Sequence, residues 1–138
     1  VSDAQKAAIK ASWAGADLQA AGTGFYVHLA AEAPAVYANF NLGADPHGAK
    51  SQEQGLRVMK FVNQCVNSID NMAIVQAKID ALAHRHMSYN VKKSDFVPAK
   101  PCFLGALADA LGGKFNADAR AAWAGFYDII AAGLSTYL

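Results

Sequence analysis

Charge of either sign is scarce in this chain, and that scarcity narrows its partners before any motif is read. Charged residues are 17% of the 138, 12 basic against 11 acidic, with a formal net charge of +1. Such a balance offers no basic field to a phosphate backbone or an anionic membrane, so neither nucleic acid nor membrane is expected as a partner. A run of about 18 apolar residues, the length needed to cross a bilayer, is also missing. The opening Val1-Ser2-Asp3 carries no positive region leading into an apolar stretch, so a secretory signal is not expected either. Cysteine is limited to Cys65 and Cys102, without CxxC spacing. This predicts two reduced, buried thiols and a cytoplasmic protein, and argues against a disulfide framework. No segment alternates apolar and polar residues as a strand would, and no repeat of about 20–50 residues is visible.

What is abundant is apolar, at 54% of residues. The length predicts one domain over residues 1–138 with a sizeable core, and the spare apolar surface predicts a monomer or a weak homo-oligomer. The periodicity is helical throughout. Ser2 and Gln5 make a capping box ahead of Ile9 and Trp13, and this first helix ends near Gly15. A second runs from about Leu18 to Ala33, where Gly22 and Gly24 would let another helix cross closely. Pro34 ends it and opens a short helix to Phe40, and Asn41 to Gly48 reads as a loop. Asp45-Pro46 is the expected start of a long helix whose Gln54, Val58, Phe61, Val62 and Cys65 share one face, Gln54 being the polar member. The next helix spans about Met72 to Met87. Ser94 is expected to cap a sixth, blurred at its start by Pro98 and Pro101 and closed by Gly112-Gly113. Asn116 caps the last, with Trp123, Phe126, Ile130 and Leu134 on its inner stripe. The fold class is all-α, about seven helices.

Four histidines are present, and two of them, His84 and His86, end the apolar fifth helix. At about 100° per residue they lie some 200° apart, so they cannot both face inward. Val75, Ile79, Leu82 and His86 recur at i, i+4, i+7 and i+11, whereas His84 follows Asp80 by one turn on the charged side. His86 is therefore the inward one. A neutral imidazole there is either an iron or zinc ligand or a hydrogen-bonded core histidine, and the helix alone leaves both open. His28 and His47 are expected at the surface.

The order of these elements resembles that of the globins over the whole chain. The likeness rests on the proline that opens a short helix with Phe40 six residues on, the long helix carrying Gln54, and a final helix begun by Phe115-Asn116-Ala117-Asp118. It is most similar to the intracellular monomeric haemoglobins of annelid worms, through Arg85-His86 followed by Tyr89, through Phe96-Val97-Pro98, and through the lack of a separate short helix between Phe40 and the distal helix. The resemblance implies a globin fold around haem b, with molecular oxygen as ligand and transport or storage as function. It makes His86 the iron ligand, since the family's spacing from the distal Gln54 falls there and His84 would need a two-residue shift. It sets Phe40, Val58, Leu82, Val91, Phe96 and Arg57 against the haem, Arg57 and Lys50 lying where a propionate is paired or simply on an exposed face. The distal residue, commonly histidine, is here Gln54; eight residues before Pro34, where many globins place leucine or phenylalanine, stands Tyr26. This pair resembles the pockets of invertebrate globins of very high oxygen affinity, unless the phenol of Tyr26 merely packs. A haem enzyme, a peroxidase or a nitric-oxide dioxygenase, is the competing expectation; its distal histidine and proximal carboxylate are lacking, so a non-enzymatic role is expected. A haem-free interaction module is the third.

Overall fold

The computed structural model describes residues 1–85 and 91–138. Its described residues form seven α-helices: α1 (Asp3–Trp13), α2 (Leu18–Glu32), α3 (Pro34–Ala38), α4 (Ala49–Asn67), α5 (Met72–Arg85), α6 (Phe96–Leu111) and α7 (Ala117–Leu134). Short 3-10 turns at Lys93–Asp95 and Gly112–Lys114 precede and follow α6, and no strand occurs among the described residues. The expected all-α class is the one found. Residues 41–48 hold no helix, so none separates Phe40 from α4.

Local chemistry accounts for most helix ends. Ser2 Oγ accepts the Gln5 amide N–H while Gln5 Oε1 accepts that of Ser2, closing the capping box of α1. Asp17 and Asn116 accept the amides of Ala20 and Ala119 at the starts of α2 and α7. Pro34, which has no N–H to give and disfavours helix at the residue before it, ends α2 and occupies the first position of α3. Gly112, at φ +57°, turns the chain out of α6. Two starts differ from expectation. Asp45 accepts the His47 amide on Oδ1 and the Gly48 amide on its backbone O, so the Asp45-Pro46 stretch is closed as a turn and α4 begins at Ala49 behind Gly48. Ser94 lies inside a 3-10 turn instead of capping α6; there the carboxylate of Asp95 accepts the Lys92 amide.

The core lies where α2 crosses α4 and α6, and where α7 packs on α1 and α5. Ile9, Met59, Ile69, Leu107, Trp123 and Phe126 are fully buried, each contributing roughly 1.5–3 kcal/mol by leaving water. The two indoles bring their N–H groups to partners: Trp123 Nε1 donates to the buried Ser12 Oγ at 2.9 Å and Trp13 Nε1 to Asn63 Oδ1 at 2.8 Å. Cys65 and Cys102 are buried free thiols, on α4 and α6, which burial pushes up to about 11.

Of the two glycines expected to admit a crossing helix, only Gly22 does so in earnest. A Cβ on Gly22 would overlap the backbone carbonyl of Gly55, and one on Gly55 would overlap that of Gly22, so α2 and α4 meet backbone to backbone. A Cβ on Gly24 would lie 3.7 Å from that of Ala106, an ordinary contact. Gly22→Ala is therefore expected to destabilise the protein by about 1–3 kcal/mol, because backbone must move to make room. Gly24→Ala should be neutral or stabilising by up to about 1 kcal/mol, since alanine is the better helix former. Urea unfolding of the two variants measures the difference; equal losses would mean the crossing is not set at Gly22.

Candidate functional site

The three stripes that the sequence places inward do not all end in packed core. Gln54, Val58 and Phe61 of α4 are only half-buried, while the fully buried face of that helix is Ser51, Gly55, Met59 and Cys65. The half-buried stripe faces a cavity of about 900 Å³, near the upper end of what pockets for single organic ligands reach. Each wall comes from a different part of the chain. From α2 come Phe25, Tyr26 and Leu29; from α3 and the residues after it, Val36, Asn39, Phe40 and Asn41; from α5, Leu82 and Arg85. Val91, Asp95, Phe96, Ala99 and Phe103 come from α6 and the residues before it, and Tyr127, Ile130, Ala131 and Leu134 from α7.

Eight of the residues singled out in the sequence line this one cavity: Tyr26, Phe40, Gln54, Arg57, Val58, Leu82, Val91 and Phe96. His86, and with it the end of the helix expected to reach Met87, lies outside the described residues. His84 has its side chain 56% exposed, with Nδ1 3.1 Å from the Asp80 carbonyl O and the ring against Tyr137, away from the cavity. Lys50 is exposed and does not reach the lining; Lys60 and Arg85 do, as Arg57 does. His28 corrects the expectation of a surface histidine. It is half-buried between α2 and α6, where each ring nitrogen meets a carboxylate. His47 is exposed, as expected.

Tyr26 is the polar centre of the cavity. Its ring is fixed edge-on by Phe25 and Phe40, with centroids 5.0 and 5.1 Å away. The residue is fully buried, and its Oη has no hydrogen-bond partner. A buried hydroxyl left so forfeits roughly 1–3 kcal/mol, a cost recovered when something in the cavity accepts its proton. Burial pushes the phenol well above its ordinary pKa; the Gln54 side chain opposes this in part without making a hydrogen bond to Oη. The hydroxyl thus stays a donor at any physiological pH. Gln54 Oε1 accepts from Arg57 Nη1 at 3.5 Å, a long bond that engages its carbonyl and leaves its amide N–H groups to the cavity.

Two further bonds brace the walls. Asn39 Nδ2 donates to Asp95 Oδ2 at 3.0 Å, tying the end of α3 to the turn before α6, and Tyr127 Oη donates to the Phe96 carbonyl at 2.6 Å. Neither was signalled by the sequence, since each joins residues far apart in the chain. Ile130 and Leu134 are expected simply on the inner stripe of the last helix, and Tyr127 is not anticipated at all, since apolar periodicity is the same whether a helix faces protein or a ligand.

The lining suits haem. It is mainly apolar, as a flat porphyrin requires, with the cations Arg57, Lys60 and Arg85 available to carboxylates and one orphaned buried donor for a small ligand. Among the described residues no helix is long and apolar enough to cross a membrane.

Comparison with known proteins agrees. The chain is 28% identical over 139 residues to the globin polymeric component P3 of the annelid Glycera dibranchiata, covering 94% of this chain and 92% of that one. It is 30% identical over 104 residues to the haemoglobin subunit zeta of Sus scrofa, 75% of this chain and 71% of that one. An 83-residue stretch is 28% identical to a flavohaemoprotein of Halalkalibacterium halodurans, 58% of this chain but only 20% of that protein's length. A model of the globin family matches residues 23–134, a span that takes in every helix from the body of α2 to the end of α7: the chain belongs to the globin family.

Proposed function

We propose that this globin binds molecular oxygen reversibly on haem b, with high affinity and slow release, as a cytoplasmic transport or storage protein acting as a monomer or weak homo-oligomer. The observation that carries the reading is Tyr26 Oη, a fully buried hydroxyl without an acceptor, in a cavity it shares with the Gln54 amide. His86 is the residue that ligates the iron in this reading. Phe40, Val58, Leu82, Val91 and Phe96 would hold the macrocycle, and Arg57, with Lys60 and Arg85, would pair its propionates. When bound, haem supplies an iron to which a diatomic molecule attaches reversibly.

The chain's own contribution is to favour one such molecule. The outer atom of dioxygen would become partly negative only once the molecule is bound, and a donor aimed there would hold it in place. Tyr26 gives an O–H and Gln54 an N–H, neither of them charged. Each such bond to a partly ionic acceptor is worth about 1.5–3 kcal/mol, and 1.4 kcal/mol is about tenfold in an equilibrium constant. An enzymatic role finds less support. Peroxide cleavage draws on a distal base near neutral pKa and a carboxylate behind the iron ligand. Tyr26 is held far from such a pKa, and Asp80 accepts from Tyr137 Oη at 2.8 Å at an exposed site outside the cavity.

The absorption spectrum of the reduced protein tests the reading. A Soret band that shifts on adding oxygen and returns on removing it is the expected result. A colourless protein would leave an interaction module, and rapid nitric-oxide turnover with a reductase would make it an enzyme.

A further inference from the structure

The polar cluster at the crossing of α2 and α6 has no part in the cavity, yet it is more elaborate than a surface ion pair. His28 Nδ1 lies 2.6 Å from Glu32 Oε2, one turn further along α2, and Nε2 lies 2.7 Å from Asp109 Oδ2 of α6. The imidazole side chain is 27% exposed. Its ring rests on the backbone of α6, where a Cβ at Gly105 would come within 3.0 Å of His28 Cε1 and 3.2 Å of Nδ1. A side chain at that position would oblige the ring to shift by a few tenths of an ångström. A neutral imidazole has a single N–H, so it serves one carboxylate and turns a lone pair towards the other; the imidazolium donates to both.

The charges around the ring all favour the imidazolium. Asp109 raises the pKa of His28 most, partial burial opposes it, and Glu32 adds to the rise. Asp109 of α6 and Glu32 of α2 are the charged groups that act on the ring; among the described residues none of α3 or α4, the other helices packed on α2, does so. A group whose pKa folding has raised stabilises the folded state fully below its unfolded pKa, and that contribution disappears as pH rises through the folded value. The cluster is therefore tightest below the ordinary histidine value of 6.5 and slackens in a window above it.

That seam leads to the cavity. Phe25 of α2 packs edge-on against Phe103 of α6, with centroids 6.2 Å apart, and both line the cavity. Tyr26 stands two residues before His28 on the same helix. We propose that His28 is a proton-operated clasp between α2 and α6, and that closing it steadies the Tyr26 phenol so that oxygen leaves the cavity more slowly in acid than in base. The clasp acts by positioning and does not touch the ligand. This inference rests on the oxygen-binding reading above.

The test is stopped-flow oxygen dissociation from the haem-loaded protein, from about pH 6 to about pH 9, where an imidazole with raised pKa changes charge. The wild type should release oxygen on the order of two- to fivefold faster at the alkaline end, the span open to a partly exposed charge cluster. In His28→Gln the profile should be flat, since an amide does not titrate, and urea unfolding followed by circular dichroism should lose the extra stability that the wild type shows below about pH 6.5. Asp109 is 71% exposed, so Asp109→Asn keeps the test available where His28→Gln fails to fold; its midpoint should move to lower pH, because the largest stabiliser of the imidazolium is gone. A wild type without pH dependence, or an Asp109→Asn midpoint equal to that of the wild type, overturns the clasp while leaving the oxygen reading intact. A reduced protein whose spectrum does not respond to oxygen overturns both, and is recognised before any rate is measured.

Discussion

The His86→Gly protein is expected to lose haem, or to regain it only when free imidazole is added, whereas His84→Ala should keep the spectrum of the wild type. The two residues are close in sequence, yet the helical period puts them on different faces. His84 is already engaged outside the cavity, with Nδ1 at the Asp80 carbonyl and its ring 4.3 Å from that of Tyr137. Leu82 lines the cavity, and the apolar stripe Val75, Ile79, Leu82 continues in sequence to His86. A ligating imidazole binds through one nitrogen and fixes its ring by donating from the other; glycine removes both functions and leaves room for a free imidazole to take its place. The Soret band with and without added imidazole reads the result directly. Loss of haem in the His84 variant and retention in the His86 variant would move the register by two residues.

Tyr26→Phe should speed oxygen dissociation by roughly ten- to a hundredfold, the kinetic equivalent of about 1.5–3 kcal/mol. The substitution keeps the ring that Phe25 and Phe40 pack against and deletes only the hydroxyl, whose present lack of a partner means that no other bond in the protein is broken. Stability should therefore hold or rise slightly, because an unpaired buried hydroxyl is removed. Association should change little, and carbon monoxide, which develops less negative charge when bound, should respond more weakly. Gln54→Leu should act in the same direction. The double variant should fall short of the sum, since the Gln54 side chain already acts on the phenol. Unchanged oxygen dissociation in Tyr26→Phe would mean that the phenol does not meet the ligand, and the high-affinity reading would be withdrawn.

Much of this was legible in the sequence because it is local. The capping residues Ser2 and Asn116, the stop at Pro34 and the periodic stripes of α4, α5 and α7 depend on neighbours a few residues away. The positions of Tyr26 and Gln54 in one cavity could be anticipated only through the family resemblance, which supplies a crossing of two helices that periodicity does not. What escaped notice depends on distant residues. Asp109 lies 81 positions from His28, Tyr127 31 from Phe96 and Asp95 56 from Asn39, so none of these bonds leaves a mark at sequence spacing. The Asp45-Pro46 start failed for a different reason. The same side chain that caps a helix also closes a turn, and here the turn won at Asp45.

The meeting of Gly22 with Gly55 bears on how such a protein can vary. Gln54 is the immediate neighbour of Gly55, and Tyr26 lies one turn from Gly22, so the contact that lets the two helices touch also sets the separation of the two donors. Neither glycine can gain a side chain alone without prising its partner helix away, and a compensating change elsewhere would have to restore the spacing for the fold and the cavity at once. Variation that tunes the ligand is thereby steered to the tips of Tyr26, Gln54 and Val58, where one side chain can be exchanged without disturbing the frame, and the pair of glycines should be inherited as a unit.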